Sequence, residues 1–367
     1  MIDMELCYQN KKSEESILSK PSNKECLNFQ LGESYLLEGD NLDYLLALSR
    51  KGFKGKIDLI YIDPPFNTSQ DFVITNSRVS TISRTKTGFI AYSDNQSTEE
   101  YLEFLRERLI VMRELLSEEG SLYLHIDYKI GHYVKLILDE IFGIKSFKND
   151  IARVKSNPKN FSRKAWGNEK DLILFYSKNP NKNIWNDVRE EMTNEDLDKA
   201  FKKIDSSGRR YNTIPLHAPG ETTGVTGGEW RGSFPPVGRH WRTDPSEFDR
   251  LDSLGLIEWS KSGNPRIIKY ADEHKGKKIQ DIWVFKDPQN PVYPTEKNSD
   301  MLDLIIKQSS KEGSYVMDCF AGSGGTLVSA LRNNRKFVGI DQSTHAIDVI
   351  RNRLLDYDYH FLSDSEK

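Results

Sequence analysis

Four short apolar runs in this chain each stop at an aspartate, and that repetition restricts the fold more than any other feature. Ile57, Leu59, Ile60, Tyr61 and Ile62 end at Asp63, and Leu122, Tyr123, Leu124, His125 and Ile126 end at Asp127. Tyr315, Val316 and Met317 end at Asp318, and Phe337, Val338, Gly339 and Ile340 end at Asp341. Runs this short, with little polar alternation, fit strands covered on both faces, as in a parallel sheet. Helical periodicities lie between them. Ser97 and Glu100 form a capping-box signature, after which Leu102, Leu105, Leu109, Met112 and Leu116 recur every three or four residues and predict a helix ending near Gly120. Leu302, Ile305 and Ile306 mark a second helix, and Ala346, Ile347, Ile350 and Leu354 a third. Strands alternating with helices predict an α/β fold on a doubly wound, mostly parallel sheet.

Two regions break the alternation. Residues 67–95 lack a long periodic run, and a loop of that length is usually functional or disordered. Residues 151–285, rich in Gly, Pro, Trp and Arg, read as an inserted, irregular recognition domain. The expected division is therefore an N-terminal extension over 1–30, half of the sheet domain over 31–150 with a mobile loop at 67–95, the recognition region over 151–285, and the other half over 286–367.

Composition excludes several classes. A chain of 367 residues that is 37% hydrophobic and 29% charged, with net charge −3, has the profile of a globular protein rather than a disordered one. Its apolar runs fall short of the roughly 18 residues of a spanning helix, and Asp3, Glu5, Glu14 and Glu15 replace the basic, apolar start of a secretion signal. A cytoplasmic location and no membrane partner are expected. Cys7, Cys26 and Cys319 are widely spaced and form no CxxC, and no HExxH occurs, so reduced thiols and no metal are expected. The small net charge conceals an asymmetry, since residues 151–290 carry a net +5 and the remainder −8. Arg153, Lys155, Lys159, Arg163, Lys164, Lys170 and Lys178 crowd one stretch with Phe161 and Trp166 between them, a pattern that suits either a phosphate backbone or a solvated basic face.

The chemistry gathers where the strands end. Asp318-Cys-Phe-Ala-Gly-Ser-Gly-Gly-Thr326 is a strand end, a glycine-rich turn and the start of a helix, where a ligand can approach the backbone. It is not a dinucleotide fingerprint, because the last glycine of GxGxxG would fall at Leu327, nor a P-loop, because no GKS or GKT follows. Asp341, at the end of the next strand, suits ribose hydroxyls, so a cofactor with a nucleoside and no pyrophosphate fits best. The plain alternative is a glycine-eased turn with two capping carboxylates. In Asp63-Pro64-Pro65-Phe66 two prolines remove two amide donors, leaving carbonyls, a carboxylate and an aromatic ring. Such a site accepts hydrogen bonds from an exocyclic amine on a planar base; the plain alternative is a proline-stiffened turn.

Together these motifs resemble those of S-adenosylmethionine-dependent amino-methyltransferases acting on DNA. The order of catalytic motif, recognition region and cofactor turn resembles the β class of those enzymes, in the manner of type II and type III modification subunits. The resemblance extends to Leu37-Glu-Gly-Asp-Asn-Leu42, Tyr293-Pro-Thr-Glu-Lys297, Gly238-Arg-His-Trp241 and Asp281-Ile-Trp283. Cys319 and Asn298 stand where the family usually has proline, and Gly325 where it usually has threonine, which bears on cofactor affinity rather than reaction type.

The resemblance implies a methyltransferase fold with an inserted target-recognition domain, S-adenosylmethionine as cofactor, and double-stranded DNA as substrate. It implies that Asp63, Pro64, Pro65 and Phe66 hold the target base. Asp318, Phe320, Gly322, Ser323, Gly324, Asp341 and Gln342 would line the cofactor pocket, with Asp40, Asn41 and Lys297 on its opposite side. Asn67, Arg78, Arg84, Lys86, Lys155, Arg163 and Lys164 are candidates for the DNA backbone, and Arg231, Arg239, His240 and Arg242 for reading the site. Trp230 and Trp241 read as core residues. Asp at position 63 resembles the adenine-N6 members, whereas Ser-Pro-Pro is commoner among cytosine-N4 enzymes. A methyltransferase of glutamine amides typically has Asn at that place and its cofactor loop first, and a non-catalytic DNA-binding subunit would not need Asp63, Phe66 and Asp341. A homodimer and a restriction-endonuclease partner are further expectations, and restriction–modification is the implied setting.

Overall fold

In a computed structural model of the chain the described residues are 5–65, 72–74, 89–92, 97–156, 164–261, 263–289 and 296–363, with backbone alone for 72–74 and 89–92. Two compact units form, one from residues 1–188 with 280–367 and the other from 189–279.

The larger unit is built on a nine-stranded sheet. Its strands, in chain order, are β1 (Tyr35–Glu38), β2 (Ile57–Ile62), β3 (Leu116–Ile126), β4 (Phe147–Val154), β5 (Lys170–Ser177), β6 (Ile282–Val284), β7 (Tyr315–Asp318), β8 (Lys336–Asp341) and β9 (His360–Ser363). Their spatial order is β6-β4-β5-β3-β2-β7-β8-β1-β9. Every neighbouring pair is parallel except β3 with β5 and β4 with β5. Besides a short helix over Glu14–Leu18, the unit's α-helices are α1 (Asn41–Leu48), α2 (Thr98–Leu115), α3 (Gly131–Phe142), α4 (Ser299–Ser309), α5 (Gly325–Arg332) and α6 (Thr344–Arg353). The apolar runs are buried as their composition requires; Leu59, Ile60, Ile62, Val316, Met317, Val338 and Ile340 have no exposed surface. Because β7 lies between β2 and β8, the aspartates that end these three strands come to one edge of the sheet, where open α/β sheets bind ligands.

The α2 capping box is complete, with Ser97 Oγ accepting from the Glu100 amide at 3.3 Å and the Glu100 carboxylate accepting from the Ser97 amide at 2.9 Å. The helix stops at Leu115, however, and β3 begins at once rather than after Gly120. Gly120 belongs instead to a strand irregularity beside β2, where a Cβ would lie 2.9 Å from the Ile57 carbonyl oxygen.

The compact units divide at Arg189 and Ile279 rather than at the expected ends of the recognition region, 151 and 285. Residues 151–188 and 280–285 carry β4, β5 and β6 of the central sheet, and the separate unit begins only at Arg189. The unit of 189–279 is not irregular throughout. It contains a four-stranded antiparallel sheet ordered Ile257–Trp259, Pro265–Tyr270, Arg210–Pro215 and Lys203–Ile204, and a two-stranded ribbon of His217–Pro219 with Arg239–Trp241. Its strands are short and carry Arg and Lys, so they lack the apolar signature that marks the central sheet. Trp230 and Trp241 are buried in its core with Leu216, Phe248, Ile257 and Ile267, as the sequence suggests.

Within 67–95, Phe72–Ile74 pairs antiparallel with Phe89–Tyr92. The expected mobility of that loop lies outside the described residues. Among the described residues no helix is long and apolar enough to cross a membrane.

Candidate active site

Asp63 follows β2 directly, and its neighbour Pro64 is buried. Strand alternation puts Tyr61 and Asp63 on one face of the sheet. Lys297, expected at the cofactor, pairs its ammonium with Asp63 Oδ2. Asp63 Oδ1 is buried and has no hydrogen-bond partner among the described residues. A buried carboxylate oxygen in that condition is costly and calls for a ligand donor. Phe66 lies outside the described residues.

The glycine turn after β7 is fixed by two carboxylates. Asp318 Oδ1 accepts from the Phe320 amide at 3.0 Å and Oδ2 from the Thr326 hydroxyl at 2.7 Å. Burial pushes the Asp318 carboxyl up to about 7, against the pull of these two hydrogen bonds. Asp341 Oδ2 accepts from the Gly322 amide at 2.8 Å and Oδ1 from the Ser343 amide at 2.9 Å. Burial raises this carboxyl as well. Each Asp341 oxygen keeps a second acceptor direction for a hydroxyl group. Gly322 and Gly324 have φ of +51° and +75°, and a Cβ on Gly324 would sit 2.8 Å from Ile350 Cγ1. Only glycine meets both demands at residue 324. Ser323 is buried, with its carbonyl accepting from Arg353 at 2.8 Å, while Gln342 is exposed.

The start of α1 joins this turn. Asp40 caps α1 by accepting from the Asp43 amide, and its other oxygen lies 3.1 Å from Arg108. Asn41 Nδ2 donates to the Cys319 carbonyl at 2.8 Å, and its Oδ1 accepts from Arg108 Nε at 2.5 Å. The Arg108 guanidinium carbon lies over the Phe104 ring, 3.6 Å from its centre, and the Phe104 ring centre is 6.2 Å from that of the half-buried Phe320. Sequence reasoning missed Arg108, because its place on a helical stripe resembles that of any solvated arginine.

It also missed a buried polar ladder beside Asp63. The Tyr61 hydroxyl lies 3.0 Å from His125 Nδ1, and His125 Nε2 lies 3.3 Å from Asp171 Oδ2. Asp171 Oδ1 accepts from Lys155 at 2.5 Å, and Arg153 lies 3.7 Å from Oδ2. Arg153 further donates to the Phe285 carbonyl at 2.8 Å and to Asp287 at 2.5 Å. Burial would raise the Asp171 carboxyl, but the His125 hydrogen bond and the charge of Lys155 outweigh it and hold the group well below the usual carboxylate range. Burial keeps the His125 pKa below its ordinary value despite Asp171. A neutral imidazole beside an anionic carboxylate must carry its proton on Nε2, so Nδ1 accepts and Tyr61 donates. A candidate for the DNA backbone, Lys155 therefore has a structural partner, as does its neighbour Arg153.

The other DNA candidates divide. Asn67, Arg78, Arg84, Lys86 and Arg163 lie outside the described residues, and Lys164 is exposed. Arg231 is held by Asp249 at 2.8 Å and Asp252 at 2.6 Å. No ion pair involves Arg239 or Arg242 among the described residues. Arg239 lies 3.2 Å from His217 Nδ1, Arg242 Nε donates to the Pro215 carbonyl, and the His240 ring hydrogen-bonds the Gly220 carbonyl through Nδ1. Burial, and then the charges of Arg239, Arg242 and Arg266, hold the His217 pKa below its ordinary value, which marks a local surplus of positive charge.

Residues 57–352 match the N6/N4 family described as DNA methylase. The chain is 39% identical over 363 residues to the type II methyltransferase M.EcaI of Enterobacter cloacae, covering 95% of this chain and 77% of that protein. The chain belongs to the DNA methylase family. This methylase is also 25% identical over 335 residues to the StyLTI Mod subunit of Salmonella typhimurium, a type III restriction-modification enzyme, covering 82% of this chain and 50% of that protein. Among solved structures, M1.HpyAVI in complex with SAM is 14% identical with a TM-score of 0.45, covering 87% of this chain and all of that one. The methylase is an S-adenosylmethionine-dependent DNA methyltransferase of the restriction–modification type. Its residues fit that cofactor: Gly322 and Gly324 turn the backbone with positive φ, Asp341 has acceptor capacity left for a ribose, and Phe320 offers a flat apolar surface. Among the described residues no cluster of His, Cys, Asp and Glu could hold a metal ion.

Proposed function

We propose that this methylase transfers a methyl group to N6 of an adenine flipped out of duplex DNA, and that Asp63 accepts the target amine. The observation that carries this reading is Asp63 Oδ1, buried and with no hydrogen-bond partner among the described residues, beside Pro64 on a turn stripped of backbone donors by its prolines. The choice of adenine over cytosine rests on the aspartate before Pro-Pro, as in the adenine members that the motif resembles.

The cofactor supplies a methyl group already made electrophilic by its sulfonium. Protein residues need only bind, orient and accept a proton. One amine hydrogen is donated to Asp63 Oδ1 and the other to the Pro64 carbonyl, which draws the nitrogen lone pair out of conjugation with the ring. A bound cofactor would offer its methyl carbon to that lone pair, and Asp63 takes up the surplus amine proton. Flipping the base costs a few kcal/mol, offset by stacking on Phe66 and by phosphate contacts. Asp341 holds the cofactor's ribose, with Phe320, Gly322, Ser323, Gly324 and Gln342 around it and Asp40 and Asn41 across the pocket.

In the unit of 189–279, Arg239, Arg242 and His240 face the DNA, because no carboxylate neutralises the two arginines among the described residues. Lys164 and the candidates in 67–95 add phosphate contacts. The same reading places the protein in the cytoplasm, as a modification enzyme with a restriction endonuclease as its counterpart, and a homodimer is its proposed state.

The test is incubation with methyl-labelled S-adenosylmethionine and mixed-sequence duplex DNA, followed by digestion to nucleosides and mass spectrometry. Labelled N6-methyladenine is expected. Label on cytosine N4 overturns the base assignment, and no label on any DNA overturns the catalytic reading in favour of a non-catalytic subunit.

A further inference from the structure

Lys297 enters the sequence reading as a cofactor ligand, and the structure gives it another partner. Its ammonium pairs with Asp63 Oδ2, and the two side chains are only 11% and 16% exposed. The paired oxygen is thereby taken, while Oδ1 is buried with no hydrogen-bond partner among the described residues. A carboxylate held at one oxygen by a fixed cation cannot turn freely, so its second oxygen points in one direction.

The lysine stands on a fixed base. Glu296, before it, accepts from Arg353 at 2.6 Å, and the same guanidinium donates to the Ser323 carbonyl in the cofactor turn at 2.8 Å. Asn298, after it, caps α4 by accepting from the Asp300 and Met301 amides at 2.9 and 3.2 Å, and its Nδ2 donates to the Lys286 carbonyl at 3.0 Å. Asn298 is the residue that replaces the family's usual proline, and its side chain supplies the cap and an added tie to Lys286. The backbone on both sides of Lys297 is therefore tied down, and one side is tied through Arg353 to the glycine turn.

Charge gives a second reason for the pair. Asp63, Asp318 and Asp341 end three adjacent strands, and burying a carboxylate without a cation costs several kcal/mol. Lys297 balances Asp63 in the absence of a base and leaves Oδ1 for the amine to occupy.

We propose that Lys297 is a positioning residue for methyl transfer, which locks the Asp63 carboxylate through Oδ2 so that Oδ1 meets the target amine. This rests on the reading of Asp63 as the amine acceptor. The proposal separates Lys297 from the cofactor: its loss should lower turnover and leave cofactor affinity nearly intact.

The experiment compares wild type with Lys297→Met, Lys297→Arg and Asp63→Asn. Single-turnover methyl transfer to DNA, cofactor dissociation constant by calorimetry and thermal unfolding are measured on each preparation. Lys297→Met should lose methyl transfer on the order of a hundredfold, the effect of displacing a reacting group by ~1 Å, with cofactor affinity within about threefold of wild type. Lys297→Arg, which keeps the charge, should recover most of the rate and shows whether the Met variant fails merely by misfolding. A rate restored by saturating cofactor in Lys297→Met overturns the proposal and returns the lysine to the cofactor. Near-normal transfer by Lys297→Met with an inactive Asp63→Asn overturns the proposal alone, whereas an active Asp63→Asn overturns the reading beneath it.

Discussion

The side-chain amide of Asn41 donates to the carbonyl of Cys319 at 2.8 Å, joining the start of α1 to the cofactor turn 278 positions further along the chain. Its carbonyl oxygen accepts from Arg108 Nε, so one small side chain ties α1, α2 and the turn after β7. Replacing Asn41 with Ala leaves a buried carbonyl and a guanidinium N–H unpaired, each at a cost of about 1–3 kcal/mol. Urea unfolding should show a destabilisation of that size, and calorimetry a weaker cofactor. Unchanged stability and affinity would mean that the junction is not structural.

Asp341 accepts from two backbone amides of the turn, and the proposed function gives it the cofactor's ribose as well. Asp341→Ala removes acceptors from the Gly322 and Ser343 amides as well as from the ribose, so cofactor affinity should fall by at least about tenfold, the equivalent of one lost hydrogen bond to a charged group. A folded variant with wild-type affinity would place the ribose elsewhere.

The arginines of the unit 189–279 should separate by their partners. Arg239→Ala should weaken DNA binding and reduce the salt slope by about one unit if it meets a phosphate. Arg231→Ala should leave that slope unchanged, because Asp249 and Asp252 already hold the guanidinium. Binding titrations at several salt concentrations measure both, and a lowered slope for Arg231→Ala contradicts the assignment.

Stability should depend on pH through Asp318. Its carboxyl titrates near 7 in the fold against 3.8 ordinarily, so between those values the fold keeps a proton that the unfolded chain has released. The contribution is whole below about pH 4 and is lost as pH rises through 7, since the unfolded state binds fewer protons in that window. Asp318→Asn has no charge to bury, so the stability of wild type relative to the variant should decline from pH 4.5 to 8 in urea unfolding. A constant difference would contradict a protonated Asp318.

The central strands and the two motifs were legible in the sequence because their signals are local. An apolar run ending in Asp states where a strand stops, and Ser97 with Glu100 states where α2 starts. What escaped depends on pairing across the sheet. Nothing near Arg153 and Lys155 in sequence announces their pairing with Asp171 on β5, nor anything near Lys297 its pairing with Asp63. Arg231 and Arg239 are alike in sequence, and only the distant Asp249 and Asp252 distinguish them. Position along a chain does not reveal which opposite charges will meet.

The most direct test of the central claim is methyl transfer by Asp63→Ala beside wild type, with labelled cofactor, the same duplex DNA and cofactor binding measured on both proteins. The account predicts label in N6-methyladenine for wild type and none for the variant, which still binds the cofactor. Undiminished transfer by the variant would contradict it.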